Sequence, residues 1–143
     1  MALITWDNSF RIGNYLVDAQ HQELFRMVND LHEAIVAGRG KDILNPTLAK
    51  LVNYTVQHFG AEEALMRAVG YPAFQVHRGK HRDLADKVKD LVGKYGRGEL
   101  VVSITLSRFL ADWLQHHIME NDMALIQYVQ AHKPGLAAAA VAR

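Results

Sequence analysis

The chain has 143 residues, a length that suits one domain with a sizeable core. Half of the residues are hydrophobic and 22% are charged, which argues against disorder, and 16 Lys and Arg against 15 Asp and Glu lack the basic excess of a nucleic-acid binder. The absence of cysteine excludes disulfides, thiolate zinc sites, iron–sulfur clusters and a cysteine nucleophile. The opening MALITWDNSF lacks the basic segment and apolar run of a secretory signal, and no apolar stretch reaches the roughly 18 residues of a membrane span. The expectation is a cytoplasmic protein with no membrane insertion.

Residues 1–16 read as an N-terminal arm that Trp6, Phe10 and Ile12 pack onto the rest. A first helix follows, with Val17, His21, Leu24, Val28, Leu31 and Ile35 on one stripe, Asp18 as its expected N-cap, and Gly38 and Gly40 as its stop. A second runs from about Pro46 to Val69, carries Leu48, Leu51, Thr55, His58, Glu62, Leu65 and Val69 on its stripe, and ends at Gly70. Pro72 suits the first turn of a third, striped by Phe74, His77, His81, Leu84, Val88 and Leu91. GKYGRG (residues 93–98) reads as a loop. A fourth helix is expected from near Glu99 to about His132, stopped by Lys133-Pro134-Gly135, with Leu106, Phe109, Leu110, Trp113, Leu114, Ile118, Leu125 and Val129 on a broad apolar face. The β-branched run 100–106 has no partner strand. Four amphipathic helices with short connections predict an all-α, up-down-up-down four-helix bundle over residues 1–133, arm included, with a flexible alanine-rich tail over 134–143.

The informative polar residues are those at core positions: His21, His58, Glu62, His77 and His81. Burying so many imidazoles and a carboxylate without partners carries a penalty of several kcal/mol for each charged group, and a shared cation relieves all of them together. His58 and Glu62 are four apart, as are His77 and His81, so each pair projects from one helix face and can converge on an ion. His21 near the start of the first helix, the second pair near the end of the next, and the third pair near the start of the one after all fall at the same end of an alternating bundle. The fourth helix offers His116, His117, Glu120 and Asp122 there. Periodicity favours His117, in phase with Leu106, Leu110 and Trp113, and leaves the carboxylate open: Asp122 is five residues away, about 140° around an ideal helix.

These residues resemble the hemerythrins, and specifically the single-domain bacterial ones (bacteriohemerythrins). The likeness is carried by Asp18-Ala19-Gln20-His21 with Leu24-Phe25, by His58-Phe59-Gly60-Ala61-Glu62-Glu63, by His77 and His81, and by Trp113-Leu114-Gln115-His116-His117-Ile118 followed by Asp122. Trp6-Asp7 and Phe10 match the family's arm, and the resemblance spans roughly residues 4–130. It implies the bundle already expected and a non-haem di-iron centre with an oxo or hydroxo bridge. His77, His81 and His117 would bind one iron, His21 and His58 the other, and Glu62 and Asp122 would bridge them. The implied cofactor is two iron ions. His32, His116 and His132 are then non-ligands; His32 lies about 16 Å along the helix from His21.

Imidazole and carboxylate donors suit iron, zinc, copper or nickel better than calcium or magnesium. Three histidines and the bridges complete one ion, while two histidines leave a place free on the other, where the resemblance implies dioxygen. Ferritin-like bundles use Glu-x-x-His pairs, which this chain lacks, and a histidine-rich shell favours reversible binding over oxidation. Leu24, Phe59, Trp113, Leu114 and Ile118 lie within a turn of ligands and are expected to form the dry wall of the oxygen pocket. The expected function is dioxygen binding for storage or delivery to an oxygen-consuming enzyme, not catalysis. The alternatives are a di-iron enzyme reducing nitric oxide or peroxide, and iron storage or sensing. The basic residues of the third helix are interspersed with Asp83, Asp86 and Asp90 and read as a solvated face.

Overall fold

The structure, a computed structural model, describes residues 2–98 and 103–132. It contains α1 (Tyr15–Val36), α2 (Lys41–Val69), α3 (Phe74–Gly96), α4 (Ile104–His117), a π turn (Ile118–Asp122) and α5 (Met123–His132). The last three form one rod, so the molecule is the expected all-α four-helix bundle, with no strand among the described residues. α1 packs on α2 and α4, and α2 packs on α3 and α5. No described helix is long and apolar enough to cross a membrane.

Several boundaries differ from those expected. Asn14, not Asp18, caps α1, its Oδ1 accepting the Val17 N–H; Asp18 instead accepts the Ile12 N–H at 2.9 Å and ties down the arm. The arm therefore ends at residue 14. α2 begins at Lys41 and runs through Pro46, because Leu44 and Leu48 on either side of the proline are buried in the core. The GKYG segment is helical, held by the buried Tyr95; α3 ends at Gly96 with Arg97 as its cap, and the chain turns away at Gly98, whose φ of +75° a side chain would strain. Ser103 is extended and precedes the first residue of α4, so that helix starts later than Glu99. Residues 99–102 and 133–143, including the expected stop and tail, lie outside the described residues.

The arm is fastened at two places. Trp6 and Phe10 meet the edge of Phe25 at centroid distances of 5.2 and 4.9 Å, and the Asn29 side chain accepts the Leu3 and Ile4 N–H groups and donates to the Ile4 carbonyl. Apolar contact is then interrupted along the bundle. On α2, the buried run Leu44, Leu48, Leu51 gives way to His58 and Glu62, and resumes at Met66 and Val69. On the last rod, Ala111 and Leu114 give way to His117 and Asp122, and resume at Leu125 and Val129. On these two rods a polar layer thus separates two apolar stretches, while Val17, Ile118 and Ile126 carry the first cluster past it.

Candidate metal centre

Seven side chains fill that layer: His21, His58, Glu62, His77, His81, His117 and Asp122, all of them buried. α1 supplies His21, α2 the His58–Glu62 pair, α3 the His77–His81 pair, and the last rod His117 and Asp122. Each pair four apart lies on one face, as helical spacing requires. The five-residue spacing of His117 and Asp122 is brought into phase by the π turn, in which the Met123 N–H bonds to the Ile118 carbonyl, five residues back. That extra residue in the turn carries Asp122 round to the face of His117, and their Nε2 and Oδ1 atoms stand 3.0 Å apart.

The donors form two nests. In one, an atom from each of Glu62, His77, His81, His117 and Asp122 lies within 4.8 Å of all the others; in the second the same holds for His21, His58, Glu62 and Asp122. The two carboxylates belong to both, one oxygen to each. Glu62 Oε2 lies 2.9 Å from His58 Nε2 and 3.5 Å from His21 Nε2, while its Oε1 lies 3.2 Å from His81 Nε2 and 3.5 Å from His77 Nε2. Asp122 Oδ2 lies 2.8 Å from His21 Nε2, and its Oδ1 lies 3.0 Å from the Nε2 atoms of both His77 and His117.

The donor set fits metal ions. His117 Nε2 stands 3.2 Å from His77 Nε2 and 3.0 Å from His81 Nε2, a crowd of imidazole nitrogens that protons alone cannot satisfy. Both oxygens of Glu62 and of Asp122, with the Nε2 atoms of His21 and His58, lack any aligned hydrogen bond despite their short separations. Their lone pairs converge on shared points rather than on one another, which is the arrangement a cation relieves. Electrostatics agree. Burial disfavours the charged form of His21, but Asp122 and Glu62 beside it more than reverse this and push its pKa up to about 9. His77 is raised to about 9 by the same opposition. Burial alone would raise Glu62, yet His58 and its other imidazole neighbours hold it well below the usual carboxylate range. Asp122 is likewise held low, with His117 and His21 overcoming burial and the repulsion of Glu62. Without metal, the nest stores protons where a cation fits.

A surrounding shell orients these rings. The His81 Nδ1–H donates to Glu63 Oε2 at 3.0 Å, and the His58 Nδ1–H donates to Gln20 Oε1 at 2.6 Å, so each Nε2 lone pair faces the nest. The sequence offered Gln20 only as part of the Asp18–His21 motif and gave it no role, because a residue next to a striped position has no periodic signature. Phe59 lies flat on His81 at 3.8 Å between centroids and 4° between planes, and Trp113 stacks on His117 at 4.4 Å. Of the expected pocket residues, Leu24, Phe59, Trp113 and Leu114 line one end of a cavity of about 680 Å³, whereas Ile118 is wholly buried off its wall. The remaining histidines are elsewhere: His32 Nδ1 lies 2.8 Å from Ser107 Oγ, and His116 and His132 are exposed, each with Nδ1 on a carbonyl one turn back.

Comparison with known proteins agrees with this geometry. The sequence profile described as Hemerythrin HHE cation binding domain matches residues 13–129. Over 123 residues the chain is 37% identical to a protein of Methylococcus capsulatus named Bacteriohemerythrin, covering 85% of this chain and 93% of that one. A protein of the same name from Stenotrophomonas maltophilia is 33% identical over 132 residues, 92% of this chain and 85% of its own. The fold superposes on a wild-type hemerythrin crystal structure with a TM-score of 0.85 at 34% identity, covering 90% of this chain and 98% of that one. With a family profile that spans most of the bundle and relatives aligned along nearly their whole length, the chain belongs to the hemerythrin family.

Proposed function

We propose that this protein binds dioxygen reversibly at a pair of iron ions, for storage or for delivery to an oxygen-consuming enzyme. His77, His81 and His117 would hold one iron, His21 and His58 the other, and Glu62 and Asp122 would span both. The observation that carries this reading is the division of each carboxylate between two nests that hold unequal numbers of histidines. Three histidines and two shared carboxylates nearly fill one coordination shell; two histidines leave the neighbouring ion short of ligands. The iron pair supplies the electrons that dioxygen needs on binding. The chain supplies the rest. As metal ligands the five imidazoles would add no negative charge to that of the two carboxylates, Gln20 and Glu63 fix ring orientation, and the apolar groups Leu24, Phe59, Trp113 and Leu114 keep water and protons away.

Metal analysis of the purified protein should give two irons per chain. After anaerobic reduction, exposure to oxygen should produce a visible absorption band that disappears under argon and returns on re-exposure. Steady consumption of added nitric oxide or peroxide would make the protein an enzyme instead. Ready loss of iron to a mild chelator with no oxygen-dependent band would make it an iron store.

A further inference from the structure

The cavity that touches the metal centre extends far beyond it. It runs as a groove between α2 and α3, from Phe59 and Trp113 up to Lys41 and Tyr95, and its volume of about 680 Å³ is in the range of pockets that hold a whole small molecule. A diatomic gas needs a small fraction of that space. Measured along α2, Lys41 is eighteen residues from Phe59, about 27 Å of helix. Lys89 on α3 is eight residues from His81, the ring on which Phe59 lies, or about 12 Å.

The wall is apolar but left partly open. Val56 and Val92 line it at 56% and 37% exposure, on helix faces that a tightly closed bundle would bury. Its charge is one-sided. Among the described lining residues the only ionic groups are Lys41 and Lys89, both exposed, and neither has a carboxylate partner among the described residues. The Lys41 ammonium instead stands 5.5 Å over the Tyr95 ring. An apolar channel with one cation about 12 Å above its aromatic end and a second near its far end suits one kind of occupant: a single extended hydrocarbon chain ending in an anion.

We infer that the α2–α3 groove binds a fatty-acid anion, its carboxylate beside Lys89 and its alkyl tail pointing down the roughly 12 Å to Phe59, Trp113 and Leu114. Lysines suit this task because their stems can lie along the apolar wall while their ammonium groups stay in water beside the carboxylate. The tail then ends against the two rings that stack on His81 and His117, so occupancy is felt at the metal centre. This inference does not rest on the dioxygen reading, although the tail would end on apolar groups assigned there; either can fail without the other.

The test uses the purified full chain with sodium decanoate, decanol and decyltrimethylammonium, all below their micelle concentrations. Binding is read by calorimetry and by emission of Trp113 in a Trp6→Phe background, since the chain has two tryptophans and Trp6 sits remote in the arm. Decanoate should bind saturably at one per chain, more tightly than decanol and far more tightly than the cation. Lys89→Glu should weaken decanoate on the order of tenfold while leaving decanol unchanged, and Lys41→Glu, farther up the groove, should weaken it less. Both positions are exposed, and an acid in the first turn of α2 favours the helix, so the fold should survive. Ala85→Trp, or Val92→Trp at a more exposed position, should fill the groove and abolish binding of both, with helicity and metal content retained. Absence of saturable decanoate binding, equal affinity for all three amphiphiles, or indifference to the filled groove would overturn the inference. So would a stable dimer by light scattering that takes up no decanoate, because a second copy would then cover the groove.

Discussion

Asp122 Oδ1 stands 3.0 Å from His117 Nε2 although five residues separate them, and the π turn over Ile118–Asp122 is what permits it. An ideal helix would turn the two side chains about 140° apart. Four residues of ordinary helix also bring two side chains to one face. Deleting the exposed Glu120 should therefore convert the turn to α-helix and keep His117, Asp122 and the downstream Leu125 in phase. Inserting an alanine between Met119 and Glu120 should swing Asp122 away by about 100°. Iron content measured on both variants should stay near wild type for the deletion and fall sharply for the insertion. Equal loss in both would show that the turn does something other than set phase.

Glu63 is a positioning residue for His81. Its carboxylate takes the Nδ1–H at 3.0 Å, with Arg78 Nε 3.8 Å from its other oxygen. Glu63→Ala frees the ring and should weaken iron retention about 10–100-fold against a competing chelator, with Glu63→Gln intermediate because an amide oxygen still accepts the bond. The reduction potential should shift in the same order, since a carboxylate partner makes imidazole a better donor to ferric iron. Unchanged retention in Glu63→Ala would remove this role.

The protonation of the metal-free nest gives a pH dependence with two limbs. His21 and His77 are raised to about 9 from 6.5, so their contribution to stability is fully present below about 6.5 and is lost as pH rises through about 9. Glu62 and Asp122 are lowered from 4.5 and 3.8, so theirs is present above those values and is lost as pH falls through the lower folded-state ones. Thermal unfolding of the metal-free protein should be most resistant between about pH 5 and 6.5. Iron loading should flatten the alkaline limb and release protons near neutrality, measurable by titration in weak buffer. An alkaline limb unchanged by iron would contradict the shared occupancy of this nest by protons and metal.

Leu114 is buried between the groove and the centre, next to Trp113 on His117. Leu114→Ala removes part of that barrier and should cost about 2–4 kcal/mol of stability. It should also hasten autoxidation of the oxygenated protein several-fold, followed by decay of its visible band. A variant that loses stability but keeps its autoxidation rate would mark Leu114 as packing alone.

Helical stripes need only a period and a hydrophobicity contrast, so the four rods, the residues facing inward and the end of the bundle where polar groups gather were all legible in the chain itself. Five histidines and Glu62 announced themselves by occupying positions where leucine belongs. Element ends were less legible, because local preferences there are worth little beside packing: Leu44 and Leu48 carry α2 through Pro46, and Tyr95 keeps α3 helical through two glycines. Asp122 could not be reached from periodicity at all, since a π turn breaks the period that the reading relies on. Only the folded molecule decided which oxygen faces which nest, that Gln20 and Glu63 brace the imidazoles, and that α2 and α3 leave a groove between them. Each of those depends on distances between segments far apart in sequence, and a one-dimensional pattern holds no such distances.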